Sequence, residues 1–204
     1  MAKQLLKLHA RYNVWAYKQL LQSVSKLTSE QYHANAGLCF RSVHGTINHL
    51  LAADRLWLTR LEGKTDSEAY QLLSSFWGHP SADMYSTAES TSCYWEQYVT
   101  DRAALAEAVL AQANQFALFV ETLTEDAPEE FSYDKRGVIV SKKLDRTLLH
   151  IVNHATHQLS FSEANFVERH PSNHQVPDSR GQVSAAISRF GLAPPVMDLF
   201  YFEG

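Results

Sequence analysis

The chain has 204 residues, 45% of them hydrophobic and 20% charged, which is the composition of a globular chain with a sizeable core and not of a disordered one. A formal charge of −4 offers no basic surface of the kind nucleic acid selects, so no nucleic-acid partner is expected. Two cysteines, Cys39 and Cys93, make no disulfide framework and fit a reducing cytoplasm. The first residues lack the apolar run and cleavage site of a signal peptide. No segment reads as the roughly 20 apolar residues that span a bilayer, so no membrane partner is expected.

Residues 2–26 are predicted as a helix, because Leu5, Leu8, Tyr12, Trp15, Leu20 and Val24 recur at helical spacing. The segment LTSEQ at 27–31 has the form of a helix restart capped by Thr28 or Ser29, and 32–41, with Gly37, reads as a loop. The second long helix is predicted over 42–62, with Ser42 as cap, Val43, Ile47, Leu50, Leu51, Leu58 and Leu61 as its apolar stripe, and Gly63 at its end. Residues 64–83 are mixed, broken by Gly78 and Pro80. A long helical stretch is predicted within 84–124, carrying Trp95, Tyr98, Leu105, Val109, Phe116, Phe119, Val120 and Leu123.

Between 127 and 143 the pattern changes. Phe131-Ser132-Tyr133 and Val138-Ile139-Val140 flank the turn residues Asp134-Lys135-Arg136-Gly137, which predicts a small β-hairpin. Asp145 or Thr147 then opens another helix, LDRTLLHIVNHATHQLSFSEANF. Pro171, Asn173, Pro177 and Asp178 mark a loop, 180–190 return to helix up to Gly191, and an apolar tail holds Leu199, Phe200, Tyr201 and Phe202. The expected fold is all-α: a four-helix bundle in one domain over 1–204, with the hairpin between the third and fourth helices.

Ten histidines is the unusual count. His150, His154 and His157 stand at i, i+4 and i+7 and share one helical stripe. His49 lies on the second long helix with Gly45, Ala52, Ala53 and Leu56 on its own side, where small neighbours leave room for an imidazole and its ligand. Two histidines one turn apart with a third from a facing helix would hold a divalent metal, and an open position would polarise water or substrate. The competing reading of such a stripe is solvated or core histidines. There is no HEXXH, and His9, His33, His44, His79, His170 and His174 read as surface or loop residues. Cys39, before Arg41, is a candidate thiolate or a buried structural cysteine. No GxGxxG, P-loop or GxSxG is present.

Four segments together resemble the DinB family of helical bundles. They are Ala10-Arg11-Tyr12-Asn13-Val14-Trp15-Ala16, Thr46 to Leu58 around His49, Leu149 to His157, and Arg180-Gly181-Gln182-Val183 followed by Arg189 to Pro195. The resemblance implies a divalent ion held by three histidines, zinc or nickel first and manganese or iron as alternatives, and chemistry of the thiol-transferase or hydrolase kind on a small molecule. Homodimers are common in the family. Carried onto this chain, the ligands are His49 and His154, with His157 as third. The family places its third histidine four residues after the first and directly before Arg-Gly-Gln; here Gln158 holds that place and Arg180 follows about 22 residues late, so 158–179 reads as an insertion in or after the fourth helix. His157, His170, His174 or Gln158 could complete the site, an amide oxygen being the poorer donor for zinc or nickel. The expected function is a metal-dependent hydrolase or thiol transferase. The alternative is a non-catalytic binding or dimerisation module whose metal site the insertion has degraded.

Overall fold

The computed structural model describes residues 2–78, 83–156 and 179–203. The chain is mostly helical, with one small antiparallel sheet of two strands. Helix α1 covers Ala2–Val24 and buries Ala10, Tyr17, Leu20 and Val24. Thr28 caps the short α2, Ser29–His33, by a reciprocal bond pair with Gln31, as LTSEQ predicts. Helix α3, Val43–Leu61, begins on Ser42, whose hydroxyl accepts from the Gly45 amide. It ends before Gly63, whose φ of 68° is the left-handed conformation that a glycine takes at a helix stop. Nearly the whole of α3 is buried, so it is the central helix of the fold.

Between 64 and 101 the mixed stretch holds a helix that stops at the expected break, Gly78, and the helix expected to carry Trp95 and Tyr98 starts after them. Residues 68–77 form helix α4, Glu68–Trp77, started by the Ser67 hydroxyl on the Tyr70 amide and ended at Gly78. The stretch 83–101 is not helical in the α sense; it is irregular with a single 3-10 turn at Tyr94–Gln97. Trp95 is buried from that turn, so its apolar character marks core and not helix. The third long helix, α5, starts only at Arg102 and runs to Glu121, with Asp101 accepting from the Ala104 amide as cap.

By length and composition alone helix α5 is long and apolar enough to cross a bilayer, which the sequence pattern had led us to expect of no segment. Here its Leu105, Val109, Ala113, Phe116 and Val120 are buried, and it packs against α1 and α3.

Strands β1, Glu130–Lys135, and β2, Val138–Lys143, pair from Glu130–Lys143 to Lys135–Val138 around the two-residue turn Arg136-Gly137. The hairpin follows α5 and precedes α6, Leu144–Thr156, as predicted. Helix α7, Ser179–Arg189, follows, then a 3-10 turn at Leu199–Tyr201. Helices α1 and α3 both pack on α5, α6 and α7. One core cluster joins α1, α3 and α5 to Ile187 of α7, and a second joins the same three helices to Ile151 of α6. Residues 158–178 of the expected insertion lie outside the described residues.

Candidate metal centre

The site is built from the start of α3. Glu96, from the 3-10 turn, holds that start in place. It takes hydrogen bonds from the Ser42 hydroxyl, from Arg41 at 2.8 Å and from the Cys93 amide at 3.0 Å. Gly45 lets the helix close on the preceding loop, since a Cβ there would stand 2.2 Å from the Phe40 carbonyl oxygen. That close approach sets Phe40 against His49, one turn further on. The two rings stack at 3.9 Å between centroids, and Trp95 meets the imidazole edge-on at 4.6 Å.

His49 is therefore almost wholly enclosed, with 3% of its surface exposed. Neither ring nitrogen has a hydrogen-bond partner among the described residues. Burial, and secondarily the nearby His154, hold its pKa well below the ordinary histidine value. The ring is neutral at pH 7, which is the form that donates a lone pair to a metal.

His154 comes from α6. Its ring centroid lies 5.4 Å from that of His49, with the planes at 48°. Two imidazoles on one tetrahedral ion, with metal–nitrogen bonds of about 2.0–2.1 Å, would stand with centroids about 5 Å apart. The pair fits a shared ion by that criterion, and the two ring nitrogens of His49 are buried with no hydrogen-bond partner among the described residues. His150 stands one turn before His154 at 5.9 Å, and its ring meets Trp57 of α3 at 5.5 Å. His157 lies outside the described residues, as do Gln158, His170 and His174. Among the described residues no three His, Cys, Asp or Glu side chains form a metal-holding group.

All three histidines open onto one cavity of about 560 Å³, within the range of small-molecule sites. Trp57, Arg60, Trp77 and Arg136 are among its other walls. None of these four was singled out from the sequence. The signal available for Arg136 was its place beside glycine in a tight turn, where arginine is not a turn residue.

The family-level model of the DinB family matches residues 1–158. The chain belongs to the DinB family. Protein DinB of Bacillus subtilis (strain 168) is similar to it, 24% identical over 147 residues that cover 72% of this chain and 75% of that protein. No solved structure matches the chain at a significant level.

His49, His154 and the position of His157 all fall inside the DinB match, and Arg180-Gly181-Gln182 falls beyond it. Gln182 nevertheless supports the site, because its side-chain oxygen accepts from the Cys39 amide next to Phe40. Asp54, one turn on from His49, accepts a hydrogen bond from the Tyr17 hydroxyl at 2.9 Å and does not line the cavity. His44 is not a surface residue as expected: it is buried against the Tyr32 hydroxyl at 3.3 Å and Asn48 at 3.2 Å. Cys39 is no thiolate at neutral pH, since burial pushes its pKa up to about 11.

Proposed function

We propose that this DinB chain is a divalent-metal-dependent enzyme, a hydrolase or thiol transferase acting on a small molecule in the 560 Å³ cavity. The proposal includes the family's four-helix bundle as a single domain, with 158–179 inserted at the fourth helix. It includes a cytoplasmic homodimer. The observation that carries it is His49: a neutral imidazole in a closed aromatic box, both nitrogens without a partner among the described residues, facing a second imidazole 5.4 Å away. A buried polar group left so costs about 1–3 kcal/mol, a penalty a metal bond removes.

His49 and His154 would hold the ion, zinc or nickel before manganese or iron, with His157 as third ligand. The bound ion would supply Lewis-acid polarisation of water, thiol or substrate. Phe40 and Trp95 fix the ring of His49 and keep water from it. His150 lines the same cavity and is placed to take a proton from a substrate at a ring nitrogen.

The test is elemental analysis of protein purified without a histidine tag. Close to one zinc or nickel per chain is expected, lost in His49→Ala and in His154→Ala. Protein that carries no metal and takes none up at neutral pH overturns the reading. The second reading, a binding or dimerisation module with a degraded site, is favoured by Gln158, which stands where the family resemblance expects the third histidine.

A further inference from the structure

Three cations line the cavity alongside the three histidines, Arg60, Lys135 and Arg136, and no carboxylate stands among the described lining residues. Arg60 comes from the last turn of α3 and is buried, with 8% of its surface exposed. Its guanidinium lies 4.6 Å over the Tyr133 ring and 5.0 Å over Trp57, and its Nε donates to the Tyr70 hydroxyl at 3.2 Å. No ion pair to Arg60, Lys135 or Arg136 occurs among the described residues. A buried arginine normally carries a carboxylate partner, because desolvating its charge is costly. Aromatic faces and one hydroxyl orient this one without neutralising it.

Arg136 is unusual in a second way. It holds the first position of the hairpin turn with φ of 56°, followed by Gly137 at 84°, which is a type I′ turn. Glycine takes that position freely, and asparagine or aspartate offsets the crowding of its Cβ by a local side-chain hydrogen bond to the backbone that arginine's long side chain does not make. The side chain crosses from the turn to α4, where Nη2 donates to the Ser74 carbonyl at 2.9 Å. The guanidinium rests on the bare Cα of Gly78: a Cβ there would stand 1.5 Å from Nη2 and 2.4 Å from Cζ. The fold thus keeps a strained residue in the turn and leaves an open seat for its charged end at the cavity wall. Strain of this kind is retained where a site uses it.

We propose that the cavity takes a small molecule bearing an oxyanion, a carboxylate or phosphate, held by Arg60 and Arg136 with Lys135 at the rim. Planar guanidinium groups bind such oxygens in pairs, which would fix the orientation of the substrate relative to His49 and His154. The proposal rests on the reading of this cavity as a substrate site, but its anion contacts are to arginines and stand apart from the metal.

The test is calorimetric titration of the full chain with sodium succinate and with sodium phosphate, against sodium chloride at matched ionic strength. Saturable binding of at least one of the two is expected, and which one binds identifies the oxyanion. Arg136→Gln and Arg60→Gln should each weaken it at least tenfold with metal content unchanged. Should Arg60→Gln fail to fold, Arg136→Asn decides, since asparagine suits the turn. That variant should melt at a higher temperature than the parent and still lose anion binding. His154→Ala separates the two readings. A His154→Ala chain that has lost its metal yet still binds the anion supports this proposal, whereas a parent chain that takes up no metal and binds the anion through its arginines sinks the metal reading and leaves this one standing. Binding lost in His154→Ala but untouched in both arginine variants overturns this proposal, and so does the absence of saturable binding by both anions.

Discussion

Replacing His49 with leucine should stabilise the metal-free protein, the opposite of what removal of a well-packed core residue does. In the absence of an ion, two ring nitrogens of His49 are buried without hydrogen bonds among the described residues. Each such group costs at least about 1 kcal/mol of stability. Leucine has no polar atom to desolvate and a similar bulk. It forfeits the 3.9 Å stack on Phe40 and the edge contact with Trp95, together about 1 kcal/mol. The balance is about 1 kcal/mol in favour of His49→Leu. For a chain of this length that is a rise of about 2–4 °C in Tm. With metal in excess the order reverses, because ligand that binds only the folded parent adds about 2.7 kcal/mol at a hundredfold excess over Kd. The assay is thermal unfolding by circular dichroism of parent and variant, each with chelator and with zinc or nickel. A variant less stable than the parent in chelator would mean that the imidazole is satisfied in solution by a partner other than a metal. That result would remove the reasoning from which the site is argued.

Two further perturbations follow from the same architecture. Gly45→Ala places a methyl group into the Phe40 carbonyl and should cost about 1–3 kcal/mol, read as a lower Tm, despite alanine's better helix propensity; an unchanged Tm would show that the loop and α3 separate freely. Burial holds Cys39 and Cys93 each at a pKa of about 11, so the thiolate forms only as pH climbs toward that value. At pH 7 about one thiol in ten thousand is ionised, against about 3% for a free cysteine, and alkylation by iodoacetamide should be at least about a hundredfold slower than that of glutathione and rise about tenfold per pH unit. A rate equal to that of glutathione at pH 7 would mean an exposed, ionised thiol.

Much of the fold was legible because strong local signals agreed with the packing. Thr28 with Gln31, Ser42 and Gly63 mark helix ends by their own backbone chemistry, and each does so in the structure. The hairpin was legible from alternation about a glycine turn. The stretch from 64 to 101 was not. Its tryptophans and tyrosines are apolar whether they sit on a helix or are buried from a 3-10 turn, and Trp95 does the latter. Ser67 and Asp101, the caps that would have placed α4 and α5, are ordinary polar residues until their bonds are seen. At the site, the placing of His49 beside His154 was expected from the resemblance to the DinB family, and their rings lie 5.4 Å apart. The enclosure of His49 by Phe40 and Trp95 was not, because contacts between distant segments leave no period in the sequence. The same holds for Arg60 and Arg136, which reach one cavity from α3 and from the hairpin.

The central claim is that the imidazoles of His49 and His154 share one divalent ion. Anomalous diffraction from crystals of the metal-loaded protein, collected at the edge of the bound element, places that ion directly. A peak about 2.0–2.1 Å from a ring nitrogen of both residues is the expected result. Loaded protein whose anomalous peak lies elsewhere, with the two rings facing an empty gap, would contradict it.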